Sequence, residues 1–261
     1  MQMNELALPF ESYGVTHKGC VRDDNEDNYL MTPLSGVWAV ADGMGGHEAG
    51  EVASASIVAH LATIGVAESA PDLRARFEER LVKAHDEIRQ LSERRDTTIG
   101  STFAALLAMD GRYACLWSGD SRVYLVRDRT ISQVSRDHTE AQELLDQGLI
   151  TESEARNWPR KNVITRAVGV GDDIVIEARQ GELAAGDVFV LGTDGLTAHV
   201  SDDEIEDAVN NGSPQSAGER LLSLVLSRGG TDNVTIIVVR VTQGKDAQPA
   251  DSAVSDWGQW H

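Results

Sequence analysis

Three apolar runs of strand length each abut an aspartate, and this pairing constrains the fold more than any other feature of the chain. Residues 36–41 lead into Asp42-Gly43, residues 187–193 lead into Asp194-Gly195, and residues 234–241 follow Asp232-Asn233. Continuous apolar runs of this length, rich in β-branched residues, read as strands buried on both faces. Strand ends meet readily at one edge of a layered fold. Carboxylates gathered there repel by about 4 kcal/mol per close pair at ~4 Å with an effective dielectric near 20. Such a cluster needs cations, so a site for hard metal ions is the first expectation.

Composition narrows the classes of partner. A chain of 261 residues can bury a full core, and one catalytic domain is expected. The formal net charge of −19 argues against nucleic acid and anionic membranes, which require a basic face. The same lack of basic or base-stacking surface disfavours a metal-dependent nuclease. Most of the 42 acidic residues read as solvated surface. Cys20 and Cys115 match no ligand or disulfide spacing and are expected to be buried thiols. The N-terminus lacks the pattern of a secretion signal, and nowhere do about 18 apolar residues run together. The expectation is a cytoplasmic protein without membrane contact.

Along the chain, short extended segments are expected over 12–32. A helix from Ala49 is expected to bury Val52, Ala55, Ala59 and Ala62. Pro71 opens a second helix, with Leu73, Phe77, Leu81, Ala84, Ile88 and Leu91 at helical spacing. Extended segments at 101–109, 113–117 and 123–127 are joined by Asp110-Gly111 and Gly119-Asp120, both read as hairpin turns. A short helical pattern covers 139–147, and a strand is expected at 174–178. Ser213-Pro214 starts a helix that Gly229-Gly230 ends. Hairpins mixed with helices, without regular βαβ alternation, give an α+β layered sandwich. Residues 243–261 are too polar to offset their ordering entropy and read as a disordered tail, with Trp257 and Trp260 able to dock on a partner.

Six ordered segments hold the chemistry: Arg22-Asp23-Asp24-Asn25-Glu26-Asp27, Asp42-Gly43-Met44-Gly45-Gly46-His47, Gly100-Ser101-Thr102, Ser118-Gly119-Asp120-Ser121-Arg122, Gly192-Thr193-Asp194-Gly195-Leu196 and Gly230-Thr231-Asp232-Asn233-Val234-Thr235. In this order the chain resembles the metal-dependent protein phosphatases of type 2C, in their compact bacterial form, over residues 13–241. The resemblance implies a phosphatase domain over 1–242, folded as a four-layer αββα sandwich of two antiparallel β-sheets flanked by helices. A flap subdomain is implied at about 145–169.

The resemblance also assigns roles. Asp42 matches the carboxylate that bridges two ions, Asp194 and Asp232 match those completing the first, and the Gly43 carbonyl matches a ligand of the second. Asp120 matches the ligand of a third, weaker ion, against the alternative of a plain hairpin turn. Oxygen-only donors suit Mn²⁺ or Mg²⁺ rather than Zn²⁺. Two such ions lower the pKa of a bridging water and align it with phosphorus. Arg22 matches the phosphate-binding arginine, whose fork suits two phosphate oxygens. Glu26 and Asp27 are expected to orient metal-bound water. Met44 stands where eukaryotic members carry a histidine acid, and methionine has no proton to give. A metal-bound water is the expected donor, with His47 its competitor.

Among the remaining polar residues, Ser101 and Thr102 are expected behind the metal loop. Thr139 or Asp137 is expected to cap a helix, and Asn233 to fix the turn around Asp232. His17, His60, His85 and His199 are isolated in the sequence and are given no role. The implied activity is hydrolysis of phosphoserine and phosphothreonine on proteins, with phosphorylated proteins and a cognate serine/threonine kinase as partners, by a monomer. The alternative is a catalytically silent phosphoprotein-binding pseudophosphatase, against which the intact Asp42, Asp194 and Asp232 argue. Arg156, Arg160, Lys161 and Arg166 of the flap either hold an anionic phosphopeptide or balance Glu152 and Glu154.

Overall fold

The computed structural model describes residues 9–46, 49–242 and Trp257. Strands β1 (Phe10–His17), β2 (Asp27–Thr32) and β3 (Val37–Met44) precede the long helices α1 (Ala49–Leu61) and α2 (Ala70–Arg95). The strands β4 (Gly100–Ser101), β5 (Phe103–Met109), β6 (Arg112–Ser118), β7 (Arg122–Arg127) and β8 (Thr130–Gln133) follow. Short helices α3 (Glu140–Asp146) and α4 (Glu152–Arg156) lead through the 145–169 segment to β9 (Glu177–Glu182) and β10 (Val188–Gly192). Helices α5 (Asp194–Thr197), α6 (Asp202–Asn210) and α7 (Pro214–Ser227) then precede β11 (Val234–Val241).

One antiparallel sheet runs β1-β11-β10-β7-β8, and the other runs β2-β3-β5-β6-β9 with β4 attached to β3. Alternation along β3 explains the layering: Val37, Ala39 and Ala41 join the core under α1 and α2, whereas Trp38 and Val40 enter the gap between the sheets. On β11, Val234, Ile236 and Val238 join the core with α6 and α7, while Ile237, Val239 and Val241 face the gap. A strand buried on both faces has no polar side, which is why these runs are unbroken in the sequence. The architecture is the expected four-layer αββα sandwich.

Several local expectations are corrected. The α1 face is rotated: Ala49, Ala53, Ile57 and Leu61 are buried, whereas Val52 is 44% exposed. Alanines line several sides of that helix, so its apolar stripe has little directional signal. Helices α4, α5 and α6 were not anticipated, and the 174–178 strand lies instead at β9. Gly119-Asp120 joins no hairpin. It leads from β6 in one sheet to β7 in the other, whereas Asp110-Gly111, both at positive φ, does form the β5–β6 hairpin. Cys115 is buried but Cys20 is exposed.

Trp257 corrects the reading of the tail at that position. Its indole is fully buried in the same core as Leu73 and Phe77, and Arg74 Nη1 donates to its carbonyl at 3.1 Å. A single indole brings a large apolar area that averaging over its polar neighbours conceals. The remainder of 243–261, Trp260 included, lies outside the described residues. Among the described residues, no helix is long and apolar enough to cross a membrane.

Candidate active site

Strand β3 continues past Ala41 because the backbone around Asp42 is held from two sides. Asp42 faces Asp27 across the β2–β3 ladder, and Gly43 faces Ser101 on β4. The Asp42 carbonyl accepts from Thr102 N at 2.8 Å and from Ser101 Oγ at 2.9 Å. These two polar residues therefore support Asp42 from behind. A Cβ on Gly43 would come within 1.9 Å of the Gly50 carbonyl, so only glycine lets β3, the start of α1 and the Glu26 backbone close together.

The other sheet supplies the opposite half. Asp194 opens α5 at the end of β10, and Asp232 lies two residues before β11, the antiparallel neighbour of β10. A Cβ on Gly195 would meet the Asn233 carbonyl at 1.9 Å, so these two ends also pack without space for a side chain. Asn233 reaches further than its own turn. Its Nδ2 donates to the Lys18 and Asp24 carbonyls at 3.0 and 2.8 Å, and its Oδ1 accepts from Glu26 N at 2.8 Å. It thereby pins the loop that presents Arg22. Arg22 Nη2 lies 2.8 Å from Asp232 Oδ2 with 54% of its side chain exposed, leaving other guanidinium donors free toward solvent at the rim.

Asp120 sits where the chain changes sheets. The preceding Gly119 donates its N–H to His138 Nδ1 at 3.1 Å and accepts from His138 N at 2.9 Å. Thr102 and Ser121 pair through their hydroxyls at 2.7 Å. Asp137 does not cap α3: it takes both Nε and Nη2 of Arg122 at 2.9 and 2.7 Å, and Thr139 caps the helix. Thr102–Ser121 and Arg122–Asp137 are supports that the sequence reading missed. Their signal lay in the polar residues flanking Gly119-Asp120.

Electrostatics tie these residues into one ring. Burial, followed by the charges of Asp27, Asp194, Asp120 and Asp232, pushes the Asp42 carboxyl well above the usual carboxylate range. Burial and Asp194 raise Asp120 to about 7. Burial also raises Asp27 to about 7, against the hydrogen bond from Thr193. Burial and Asp232 raise Asp194, which Arg22 partly relieves. Each shift has the same origin, negative charge held out of water beside negative charge, and a divalent cation removes it.

The donors suit such a cation. They are carboxylates and a backbone carbonyl, the hard oxygens that Mg²⁺ and Mn²⁺ take. Asp27 Oδ1 is buried without a hydrogen-bond partner. Among the described residues no three acidic, histidine or cysteine side chains close tightly enough to grip one ion alone. Ions of this kind keep water in part of their coordination sphere.

Met44 packs toward β4, where its methyl would lie 2.9 Å from a Cβ on Gly100. His47, the competing proton donor, lies outside the described residues. The 145–169 segment returns to β4 through Val168, which exchanges backbone hydrogen bonds with Ser101. Its cations are largely spoken for: Arg156 pairs with Glu152, Arg160 with Glu140 and Arg166 with Glu177. Among the described residues Lys161 makes no ion pair, and the Arg156–Glu152 pair matches the surface-balance alternative. Glu154 bonds Thr151 in a capping box instead of balancing a cation.

The sequence model of the family described as protein phosphatase 2C matches residues 16–226. The serine/threonine protein phosphatase PstP of Mycobacterium tuberculosis is 37% identical over 241 residues, covering 92% of this chain and 46% of its own length. The chain thus spans about half of that relative. The protein phosphatase PhpP of Streptococcus pneumoniae is 32% identical over 242 residues, covering 90% of this chain and 98% of PhpP. Among solved structures, the catalytic domain of PstP in complex with two manganese ions superposes with a TM-score of 0.78 at 34% identity, over 90% of this chain and 99% of that one. Agreement over nearly the whole described fold leaves one assignment: the chain belongs to the protein phosphatase 2C family.

Proposed function

We propose that this chain is a metal-dependent protein-serine/threonine phosphatase that hydrolyses phosphoserine and phosphothreonine on proteins and opposes a bacterial serine/threonine kinase. The observation that carries the reading is the ring of carboxylates contributed by two sheets, where burial first and neighbouring negative charge second raise Asp42, Asp120 and Asp194 above the usual carboxylate range. Asp42, Asp194, Asp232 and the Gly43 carbonyl would hold two Mn²⁺ or Mg²⁺ ions, with Asp120 and Asp194 at a third. Such ions, when bound, supply Lewis acidity and a nucleophilic water at neutral pH.

The chain's own groups do the rest. Arg22 presents a planar fork at the rim, suited to two oxygens of a phosphate monoester. Asp27 and Glu26 line the ring and accept hydrogen bonds from water there, orienting it. Methionine at position 44 leaves the leaving-group proton to water. The relatives named as phosphatases support turnover over a silent phosphoprotein-binding role, as do the intact carboxylates.

The test is phosphate release from a phosphoserine peptide with Mn²⁺, with chelator, and from Asp194→Ala. Release that needs the ion and falls by orders of magnitude in the variant supports the reading. Release that survives chelation contradicts it.

A further inference from the structure

Thr193 occupies the N-cap of α5, where a threonine hydroxyl ordinarily accepts from a backbone N–H of the first turn, yet it makes no capping bond. Its hydroxyl accepts from Thr235 N at 3.0 Å and donates its one proton to Asp27 Oδ2 at 2.8 Å. All three residues are buried. The bond crosses the gap between the sheets, from the end of β10 to the start of β2.

Its position in the ring matters more than its strength. Thr193 directly precedes Asp194, and Asp27 stands opposite Asp42 in the β2–β3 ladder. One buried hydrogen bond thus links the immediate neighbours of two carboxylates that come from different sheets and repel each other. The chain of hydroxyls continues, with Thr235 Oγ1 2.7 Å from Thr16 Oγ1, which accepts from Asn25 Nδ2 at 2.9 Å in the loop of Arg22. A capping residue that forgoes its local bond for a cross-sheet one departs from the local rule at a functional site.

We propose that Thr193 is a positioning residue, whose hydroxyl fixes the spacing between the Asp42 half and the Asp194–Asp232 half of the ring so that two divalent cations fit side by side. The inference rests on the metal-dependent reading above. Removing the hydroxyl frees the two sheet ends to separate under carboxylate repulsion, and the shared ion geometry is lost.

The test uses the full chain and Mn²⁺ alone. Binding isotherms and the electron paramagnetic resonance spectrum of the loaded protein, which reports coupling between neighbouring ions, are compared for wild type, Thr193→Val and Thr193→Ser. Valine keeps the shape without the bond, and serine keeps the bond. The valine variant is expected to bind the second ion about tenfold or more weakly and to lose the coupled-pair signal, while serine restores both. Melting in chelator checks folding, and Thr193→Ala serves in the same assays if valine does not fold. Wild-type isotherm and spectrum in the valine variant, or equal loss in valine and serine, overturn the role of the hydroxyl alone. A wild type without any coupled pair overturns both this inference and the two-ion reading beneath it.

Discussion

Asp27 and Asp42 stand directly opposite each other in the β2–β3 ladder, two acids at paired positions of an antiparallel sheet. Like charges so placed are destabilising. Burial above all raises the Asp27 carboxyl to about 7, and the charges of Asp194 and Asp232 add to it. A carboxyl raised in the folded state above its unfolded value of 3.8 favours folding below that value, and the contribution is lost as pH rises toward 7. In metal-free protein Asp27→Asn should therefore raise Tm more at pH 8 than at pH 5. Comparing the variant with wild type cancels the opposite trend of the buried histidines His85 and His138, both shifted down by burial. Melting curves in chelator at the two pH values check this, and a Tm gain at pH 5 equal to that at pH 8 contradicts it.

Arg22 is expected to act through its fork rather than its charge alone. Arg22→Lys keeps the cation but loses the planar pair of donors, so KM for a phosphopeptide should rise about tenfold, the equivalent of one hydrogen bond to a charged group. Steady-state kinetics at saturating Mn²⁺ measure it. An unchanged KM removes Arg22 from phosphate binding.

With Arg156, Arg160 and Arg166 paired to Glu152, Glu140 and Glu177, Lys161 is the cation of the 145–169 segment that makes no ion pair among the described residues. Lys161→Ala should raise KM for an acidic phosphopeptide and leave KM for a small aryl phosphate nearly unchanged. Equal effects on both substrates return the flap charges to surface balance.

Trp257 should matter for stability. Trp257→Ala empties a fully buried indole site, a loss of about 3–5 kcal/mol, seen as a fall in Tm of roughly 10 °C. Thermal denaturation checks it, and an unchanged Tm places the indole outside the core in solution.

The layers and ring were legible for a physical reason. Strands such as β11, apolar on both faces, announce burial between layers, and acids beside them mark strand ends. The stripe of α2 was readable because Leu73, Phe77, Leu81 and Ile88 are large and spaced at the helical period. That of α1 was not, because its alanines surround the helix. Gly119-Asp120 has the residues of a hairpin turn, and no local signal shows that β6 and β7 belong to different sheets. Thr193 escaped notice because a threonine before Asp-Gly looks like a cap, and its partner Asp27 lies 166 residues away. Cross-sheet hydrogen bonds leave no spacing pattern.

The central claim is that carboxylates from two sheets hold a pair of divalent cations. Crystals soaked in Mn²⁺ at neutral pH, with anomalous difference maps collected at the manganese edge, test it most directly. Two peaks about 3.5 to 4 Å apart among Asp42, Asp194 and Asp232 are the expected result. Maps with no peak in that ring at saturating Mn²⁺ contradict the account.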